Sequence, residues 1–483
     1  MKRLELLLLA FLSFTIFAQD GENHYVPETD PAALQSISHW QDCKFGLLMH
    51  WGPYSQRGIV ESWSICSEHE GWCERDGSED YNLYKEDYEK LQTTFNPILF
   101  DPELWADAAA KAGMKYVVFT TKHHDGFCMF DTKTTDYKIT SDKTPFHSNP
   151  KANVTLEIFN AFRQHDFLIG AYFSKPDWHS EYYWWKKYST PDRNVNYDPD
   201  EYPERWNKFV QYTHTQIDEL LTDYGRIDIL WFDGGWVKKV NKTEIEKFYT
   251  NFGKSSESGF LKRKLVNQDI KMDEIVANAR KKQPGIIVVD RAVYGKNQNY
   301  LTPENRVPEK TLPYPWESCI IAGGGWSYAF DAKYMTGREG ISLLVDIVSK
   351  GGNLLLNIAP SPQGTWDEGA YKLLKEYGDW MQVNSEAIYS TIPLEPYKEG
   401  NVCYTQTKDG TRYAIYLSQE GEDVPPSKIV LPTLKLERGQ KAVLLGTKTK
   451  LKVKETNLGT EITIPEKYCK QPPCKYAWVI KIE

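Results

Sequence analysis

Residues 227–235 read IDILWFDGG, a short apolar run that ends in an acidic residue and two glycines. A run that is apolar along its length, rather than alternating, is typical of a parallel strand covered on both faces. Six further runs share this pattern: FGLLMHW (45–51), YVVFTTKHH (116–124), LIGAYFS (168–174), GIIVVDR (285–291), WESCII (316–321) and NLLLNIAP (353–360). Together the seven runs predict a parallel sheet.

Amphipathic stretches with helix stop signals separate these runs. Residues 102–113 and 203–225 end in glycine, and residues 338–352 end in Lys-Gly-Gly. Strand–helix alternation over this length favours an α/β fold of the (β/α)8 barrel type. A doubly wound sheet is the alternative, but GGGW (323–326) does not follow the G-x-G-x-x-G pattern that such a sheet uses for phosphates.

The chain is predicted to have three parts. Residues 1–19, MKRLELLLLAFLSFTIFAQ, have a basic start and an apolar run too short to span a bilayer, which is typical of a secretory signal peptide. Residues 20–390 form the predicted barrel domain. Alternating runs in residues 391–483 predict a C-terminal antiparallel β-sandwich. We therefore expect a secreted or periplasmic protein, after signal peptide cleavage, with no membrane span.

The composition argues against a nucleic-acid partner and against a disulfide-rich scaffold. The formal net charge of −8 argues against nucleic acid, which favours clustered Lys and Arg. Eight Cys in 483 residues are too few for a disulfide scaffold. The 16 Trp, 30 Tyr and 20 Phe fit a protein that packs aromatic rings against sugars, and they fit ordinary core packing equally well.

In a (β/α) barrel, catalytic groups lie at the C-terminal ends of the strands. The residues at those ends include His50, His123, His124, Tyr172, Trp231, Asp233 and Arg291. Carboxylate, imidazole and aromatic groups on one face suit sugar hydrolysis. Asp233, followed by two glycines, is either a nucleophile for the oxocarbenium-like carbon or a cap for the next turn or helix.

The adjacent His123 and His124 allow three interpretations: metal ligation, binding of sugar hydroxyls, and a purely structural role. They could ligate a metal, but no HExxH spacing supports this, and imidazoles also bind sugar hydroxyls through hydrogen bonds. We favour hydroxyl binding and predict no metal and no cofactor. A serine hydrolase is excluded because the G-x-S-x-G pattern is absent from the sequence.

Several motifs occur in an order that resembles the glycoside hydrolase family 29 α-L-fucosidases. They include KFGLLMHWGPYS (44–55), KYVVFTTKHHDGFCMFDTK (115–133), LWFDGGW (230–236), PWESC (315–319) and KGGNLLLNIAP (350–360). The resemblance implies a retaining exo-α-L-fucosidase, which hydrolyses terminal α-L-fucose from oligosaccharides or glycoconjugates by double displacement. An α-L-fucosylated glycan is then the expected substrate, and no cofactor is required.

The resemblance also implies site residues. Asp233, by its place in LWFDGGW, matches the nucleophile, and Trp326 matches an aromatic residue that packs against the C5 methyl group of fucose. Trp63 matches a wall residue, but the family's adjacent Glu-Trp pair reads Glu61-Ser62-Trp63 here, so the contact of Glu61 with a hydroxyl is an open expectation. Further positions that match the fucose pocket are His50, His123, His124, Tyr172, Trp231 and Arg291.

Three glutamates are candidates for the acid/base. Glu304 in TPEN best resembles the family's position, and with Asp233 it forms the predicted catalytic pair. Glu317 lies within an apolar strand and is expected to support the pocket or to be a buried, paired carboxylate, while Glu309 is expected in a solvated loop. Two other functions remain open: a secreted fucose-binding protein that has lost catalysis, and a glycosidase for a related sugar such as a galactoside.

Overall fold

The computed structural model describes residues 25–68, 73, 75, 80–255, 264–437 and 440–483. The predicted signal peptide, residues 1–19, lies outside this part of the chain. None of the helices within these ranges is both long enough and apolar enough to cross a bilayer.

Among the residues that the structure describes, seven parallel strands line the first domain: β1 (Phe45–Met49), β2 (Tyr116–Lys122), β3 (Leu168–Ser174), β4 (Ile229–Asp233), β5 (Ile287–Asp290), β6 (Glu317–Ile321) and β7 (Asn353–Asn357). Each of the seven apolar runs is thereby confirmed as a strand. They pair in the order β5-β4-β3-β2-β1-β7-β6, so the first strand lies near the middle and the sheet curls into a barrel-like wall. The strands are almost entirely buried, as expected when helices cover one face and side chains fill the other.

An irregular segment, residues 298–305, occupies the eighth position of the barrel between β5 and β6. Single backbone bridges join Gln298 to Val289 of β5 and Glu304 to Cys319 of β6. The prediction of a (β/α) barrel is therefore confirmed. Among the described residues, the barrel wall has seven regular strands, and one irregular segment takes the place of the eighth. This segment carries Glu304 to the same end of the barrel as the strand ends.

Ten α-helices are described: α1 (Pro31–Cys43), α2 (Tyr81–Glu89), α3 (Pro102–Lys111), α4 (Val154–Arg163), α5 (Pro203–Asp223), α6 (Lys242–Ser255), α7 (Met272–Lys282), α8 (Gly337–Ser349), α9 (Glu368–Asn384) and α10 (Glu466–Lys470). Helix α8 shows why the sequence folds this way. Thr336 and Glu339 form a reciprocal capping box at its start, and Ile341, Leu344 and Val348 bury its apolar face against the sheet. Short 3-10 helices fill connections such as Pro53–Arg57 and Ser62–Ile65.

Eight strands are described in the C-terminal region, where residues 391–437 and 440–483 are covered: β8 (Thr391–Glu399), β9 (Val402–Thr407), β10 (Arg412–Leu417), β11 (Lys428–Leu431), β12 (Ala442–Leu444), β13 (Lys452–Thr456), β14 (Gly459–Thr463) and β15 (Ala477–Ile482). They form two antiparallel sheets of five and three strands, in the orders β12-β15-β10-β9-β8 and β11-β14-β13. Tyr404, Leu431, Ile462 and Trp478 belong to one buried cluster between them. The predicted antiparallel β-domain is confirmed.

Candidate active site

Asp233, the last residue of β4, lies at the C-terminal end of the barrel strands, with 17% of its side chain exposed. Its Oδ2 accepts a hydrogen bond of 2.7 Å from the Tyr172 hydroxyl, and its Oδ1 lies 3.2 Å from Nη1 of Arg291. Nε2 of His124 is 3.8 Å from Oδ2. Burial raises the pKa of Asp233, but Arg291, His124 and the hydrogen bonds outweigh it and hold the pKa well below its ordinary value. The carboxylate is therefore ionised.

The chain turns sharply after Asp233. Gly234 has a φ of 89°, and a Cβ atom there would lie 2.4 Å from Cδ of Pro176, so only glycine fits this close approach. The next helix, α6, begins at Lys242. Asp233 therefore directs its carboxylate to Tyr172 and Arg291, and it does not cap helix α6.

Arg291 joins the two predicted catalytic carboxyls. Its Nη1 contacts Asp233, while its Nη2 contacts Oε2 of Glu304. The Glu304 side chain is 43% exposed, against 17% for Asp233, so Glu304 lies nearer the opening of the pocket. Burial lowers the pKa of Arg291, but Glu304 and Asp233 raise it well above its ordinary value. One guanidinium thus contacts both carboxyls.

Aromatic side chains complete the surroundings of this carboxyl pair. Nε1 of Trp326 donates a hydrogen bond of 3.1 Å to Oε1 of Glu304. The Arg291 guanidinium lies over the Trp231 ring, with its Cζ 5.2 Å from the centroid, and the same ring stacks on Tyr172. Arg291 and Tyr172 therefore orient the carboxyl of Asp233, and Arg291 and Trp326 orient that of Glu304.

The other two glutamate candidates have different surroundings. Glu317, at the start of β6, is fully buried and accepts hydrogen bonds from the Tyr116 hydroxyl at 2.7 Å and from Nε1 of Trp231 at 3.4 Å. It therefore lies beneath Trp231 and supports the pocket floor, as the sequence predicted. Glu309 is exposed in the loop before β6, again as expected.

Glu317 gives a testable dependence of stability on pH. Burial raises its pKa from 4.5 to about 7, so between these values the folded protein keeps a proton that the unfolded chain releases. Stability should therefore fall as pH rises through this window, by up to about 1.4 kcal/mol per pH unit. The E317Q variant cannot titrate, so its free energy of unfolding relative to wild type should increase by about 2 kcal/mol from pH 5 to 7. Denaturant unfolding at both pH values measures this difference. The exposed-site variant E309Q is the control, and a pH-independent difference for E317Q would contradict the prediction.

Three histidines at strand ends form one wall of the pocket. The ring of His123 lies 5.7 Å from that of His50 and 4.2 Å from that of His124, measured between centroids. Burial lowers the pKa of His50 to about 4 and that of His124 to about 3, and it lowers the pKa of His123 well below its ordinary value. Neutral imidazoles can accept as well as donate hydrogen bonds, which suits sugar hydroxyls.

His123, His124 and Asp233 are also the one group, within the described ranges, whose donor atoms lie close enough to share a metal ion, all within 4.8 Å. The surroundings of the group fit a metal poorly. Nη1 of Arg291 lies 3.2 Å from Oδ1 of Asp233, so a positive charge already neutralises the one carboxylate of this group. The arrangement is better suited to hydrogen bonding than to holding a cation.

Glu61 and Trp63 come from the loop after β1. Glu61 is buried, and its Oε1 has no hydrogen-bond partner among the described residues. Burial raises its pKa well above the ordinary value, and the charges of Glu304 and Asp233 raise it further. The Trp63 ring meets the His124 ring edge to face, with centroids 5.3 Å apart. The structure therefore brings both predicted residues to the pocket despite the inserted serine.

Two supporting residues were not identified from the sequence. Ser62, the inserted residue, bonds to His123 and accepts a 3.0 Å hydrogen bond from the backbone N–H of Asp125. Asn357, at the end of β7, bonds to Nδ1 of His50 at 3.0 Å. The strand-end rule could have found Asn357, whereas nothing in the local pattern marks Ser62 as a partner of a histidine.

Comparisons with known proteins give consistent matches to one family. The family model described as Alpha-L-fucosidase matches residues 13–386, and that described as Alpha-L-fucosidase C-terminal domain matches residues 396–483. The chain is 28% identical to the tissue alpha-L-fucosidase of Homo sapiens over 505 residues, covering 99% of this chain and 96% of that protein.

Solved structures give the same result. Alpha-L-fucosidase isoenzyme 1 from Paenibacillus thiaminolyticus is 30% identical with a TM-score of 0.71, and the match covers 93% of this chain and 99% of that one. The Thermotoga maritima alpha-fucosidase in complex with fucose is 25% identical with a TM-score of 0.67, and the match covers 96% of this chain and 99% of that one.

Proposed function

The chain belongs to the α-L-fucosidase family and is therefore a glycoside hydrolase, and on that premise we propose that Asp233 and Glu304 remove terminal α-L-fucose with retention of configuration. The observation that carries this proposal is the guanidinium of Arg291, which contacts both carboxyls across one pocket. Retaining enzymes hold their two carboxyls about 5–5.5 Å apart, whereas inverting enzymes need about 6.5–9.5 Å to admit a water. A shared guanidinium favours the shorter separation.

The first step forms a covalent intermediate. Glu304, in its acid form near the pocket opening, gives its proton to the glycosidic oxygen as the C1–O bond breaks. The ionised Oδ of Asp233 attacks C1 from the opposite face, so that a β-fucosyl ester forms and the aglycone leaves as an alcohol. Arg291 then stabilises the carboxylate that Glu304 has become.

The second step releases the sugar. The Glu304 carboxylate takes a proton from a water molecule on the side that the aglycone has left, and the oxygen of that water attacks C1. The ester bond to Asp233 breaks, the Asp233 carboxylate returns to Arg291 and Tyr172, and α-L-fucose is released. Two inversions give net retention, and no metal or cofactor takes part in either step.

The pocket walls support a preference for fucose. The neutral imidazoles of His50, His123 and His124 offer hydrogen bonds to hydroxyls, and Glu61 in its protonated form offers a donor. We propose that the Trp326 ring, 5.4 Å from that of His50, covers the C5 methyl group. Burying one such methyl is worth about 0.8 kcal/mol, which favours a deoxy sugar over its hydroxymethyl counterpart.

The partner of this site is an α-L-fucosylated glycan presented outside the cytoplasm. This part of the proposal is supported by the basic and apolar pattern of residues 1–19, which is typical of a signal peptide. The Trp-rich loop at 179–187 belongs to the same end of the barrel, where Trp178 and Trp184 stack with centroids 5.2 Å apart. We propose that this end receives the remainder of the glycan.

The proposal is tested by comparing 4-nitrophenyl α-L-fucoside with 4-nitrophenyl α-L-galactoside. We expect turnover of the fucoside, and a kcat/KM about fourfold or more lower for the galactoside because of the methyl wall. Fucose binding measured by calorimetry without any turnover would instead identify a binding protein that has lost catalysis. Equal or better turnover of the galactoside would assign the enzyme to the related sugar.

A further inference from the structure

The side chain of Asn357 connects two walls of the pocket. Asn357 is the last residue of β7 and is fully buried. Its Oδ1 lies 3.0 Å from Nδ1 of His50 and 3.3 Å from the backbone nitrogen of the same residue. Its Nδ2 donates to the backbone carbonyls of Trp326, at 2.9 Å, and Gly325, at 3.3 Å. One amide therefore bonds to the histidine wall and to the aromatic wall at once.

These contacts fix the orientation of the amide. Backbone carbonyls can only accept hydrogen bonds, so the NH2 group of Asn357 must face Gly325 and Trp326, and Oδ1 must face His50. An oxygen at that position accepts a hydrogen bond from His50, which places the ring proton on Nδ1. In a neutral imidazole the other nitrogen, Nε2, then carries a lone pair and acts only as an acceptor.

The charge state of His50 depends on everything packed around it. Burial lowers its pKa to about 4, the hydrogen bond to Asn357 and the charges of Asp233 and Glu304 raise it, and the charge of Arg291 lowers it. The rings that face His50 from neighbouring elements are those of His123, Tyr172 and Trp326. The net result is a neutral ring near pH 7.

We propose that Asn357 is a positioning residue that holds His50 in the Nδ1–H tautomer, so that Nε2 accepts a hydrogen bond from a hydroxyl of the bound sugar. The same amide fixes the backbone of Trp326, whose side chain bonds to Glu304. The side chain of Asn357, which does not touch the reacting atoms, thereby positions both Nε2 of His50 and Trp326, the neighbour of Glu304. This inference rests on the proposed function.

The N357D variant separates positioning from packing. It keeps the size of the side chain, but it replaces the NH2 donor by an oxygen and adds a negative charge. The N357D carboxylate still accepts from Nδ1 of His50, but its negative charge raises the pKa of His50 and favours the imidazolium, in which Nε2 donates instead of accepting. We expect kcat/KM for the aryl fucoside to fall about 10- to 100-fold at pH 5. It should recover partly as the pH rises and His50 loses its proton. The N357L variant removes both the acceptor for His50 and the donor to the backbone of Gly325 and Trp326. It should lose activity at every pH, without a recovery as the pH rises.

Asn353 gives a matched control at the opposite end of β7. It is also buried, and its Nδ2 donates to the carbonyl of Trp40 at 2.7 Å. We expect N353D to lower the melting temperature while leaving the shape of the pH profile of kcat/KM unchanged. Identical pH profiles for N357D, N353D and wild type, after correction for the folded fraction, would overturn the proposal.

The tautomer can be measured without any substrate, so the inference can fail separately from the proposed function. In protein labelled with 15N-histidine, long-range 15N–1H spectra at pH 7 distinguish the two tautomers, and the signals that disappear in H50F belong to His50. We expect the Nδ1–H tautomer in wild type and a mixture or the Nε2–H tautomer in N357L. The Nε2–H tautomer in wild type would overturn the proposal even if the enzyme hydrolyses fucosides.

Discussion

Replacing Asp233 by glycine is expected to lower kcat for an aryl α-L-fucoside by about 10⁴-fold or more, which corresponds to at least about 5.5 kcal/mol of transition-state stabilisation. The variant lacks the carboxylate that we propose forms the ester with C1, while Arg291, Tyr172 and the three histidines remain. Steady-state release of 4-nitrophenol measures the loss. The fold should persist, because Asp233 is the last residue of β4 and Arg291 keeps its ion pair with Glu304 in the variant.

Azide provides the specific signature of the missing nucleophile. In D233G, azide enters the vacated space and attacks C1 of the α-fucoside directly, so partial activity returns and the product is β-L-fucosyl azide. The matched control is D228N, which alters an acid just before the same strand, where Asp228 pairs with Arg226 at the opposite end of the barrel. D228N should keep its activity and give no azide product. Full activity of D233G without azide would remove Asp233 from the mechanism.

Replacing Glu304 by alanine should have an effect that depends on the leaving group. An oligosaccharide alcohol needs a proton as it departs, so kcat/KM for fucosylated oligosaccharides should fall by about 10²- to 10⁴-fold. A dinitrophenolate leaves without assistance, so kcat/KM for the dinitrophenyl fucoside should fall less than about tenfold. The two substrates are compared through kcat/KM because this parameter reports the first chemical step, whereas kcat of E304A also contains the slowed hydrolysis of the ester.

The azide product distinguishes this role from that of Asp233. In E304A the ester on Asp233 still forms, and azide then attacks the intermediate to give α-L-fucosyl azide. E309A and E317Q serve as controls, since Glu309 is exposed and Glu317 is buried beneath Trp231. If E304A loses activity equally on both classes of substrate, or if E309A shows the leaving-group dependence, the acid/base assignment to Glu304 is wrong.

Much of the barrel can be predicted from the sequence for one physical reason. A parallel strand buried on both faces must be apolar along its length, and runs such as IDILWFDGG and NLLLNIAP carry that signal locally. Because parallel strands end at the same edge, the residues that follow them meet in space. His50, His123 and Arg291 could therefore be assigned to one pocket before any coordinates.

The proposed acid/base, Glu304, could not be derived in this way. Glu304 lies on residues 298–305, which take the eighth position of the barrel through isolated bridges, and Pro303 denies a backbone donor to a regular ladder. No apolar run marks such a segment, so only the family resemblance favoured Glu304 over Glu317. In the structure the two differ by burial, since Glu317 is inaccessible while 43% of the Glu304 side chain is exposed.

The contacts that support the pocket histidines also could not be predicted from the sequence pattern. The bond between Ser62 and His123 spans 61 residues of chain, and that between His50 and Asn357 spans 307. Each depends on which loop or strand ends face one another across the pocket, and this is set by tertiary packing. Ser62, which separates the Glu and Trp that are adjacent in the family, supplies a hydrogen-bond partner for His123.

The central claim is that Asp233 forms a covalent bond to C1 of fucose, and trapping that bond tests it most directly. A 2-deoxy-2-fluoro-fucosyl fluoride slows both steps but keeps a good leaving group, so the ester accumulates. Mass spectrometry of the tryptic peptide 227–238 should show one fluorofucosyl unit on Asp233 and not on Asp228. A label on another carboxylate, or no label together with release of the inverted anomer from an ordinary fucoside, would contradict the account.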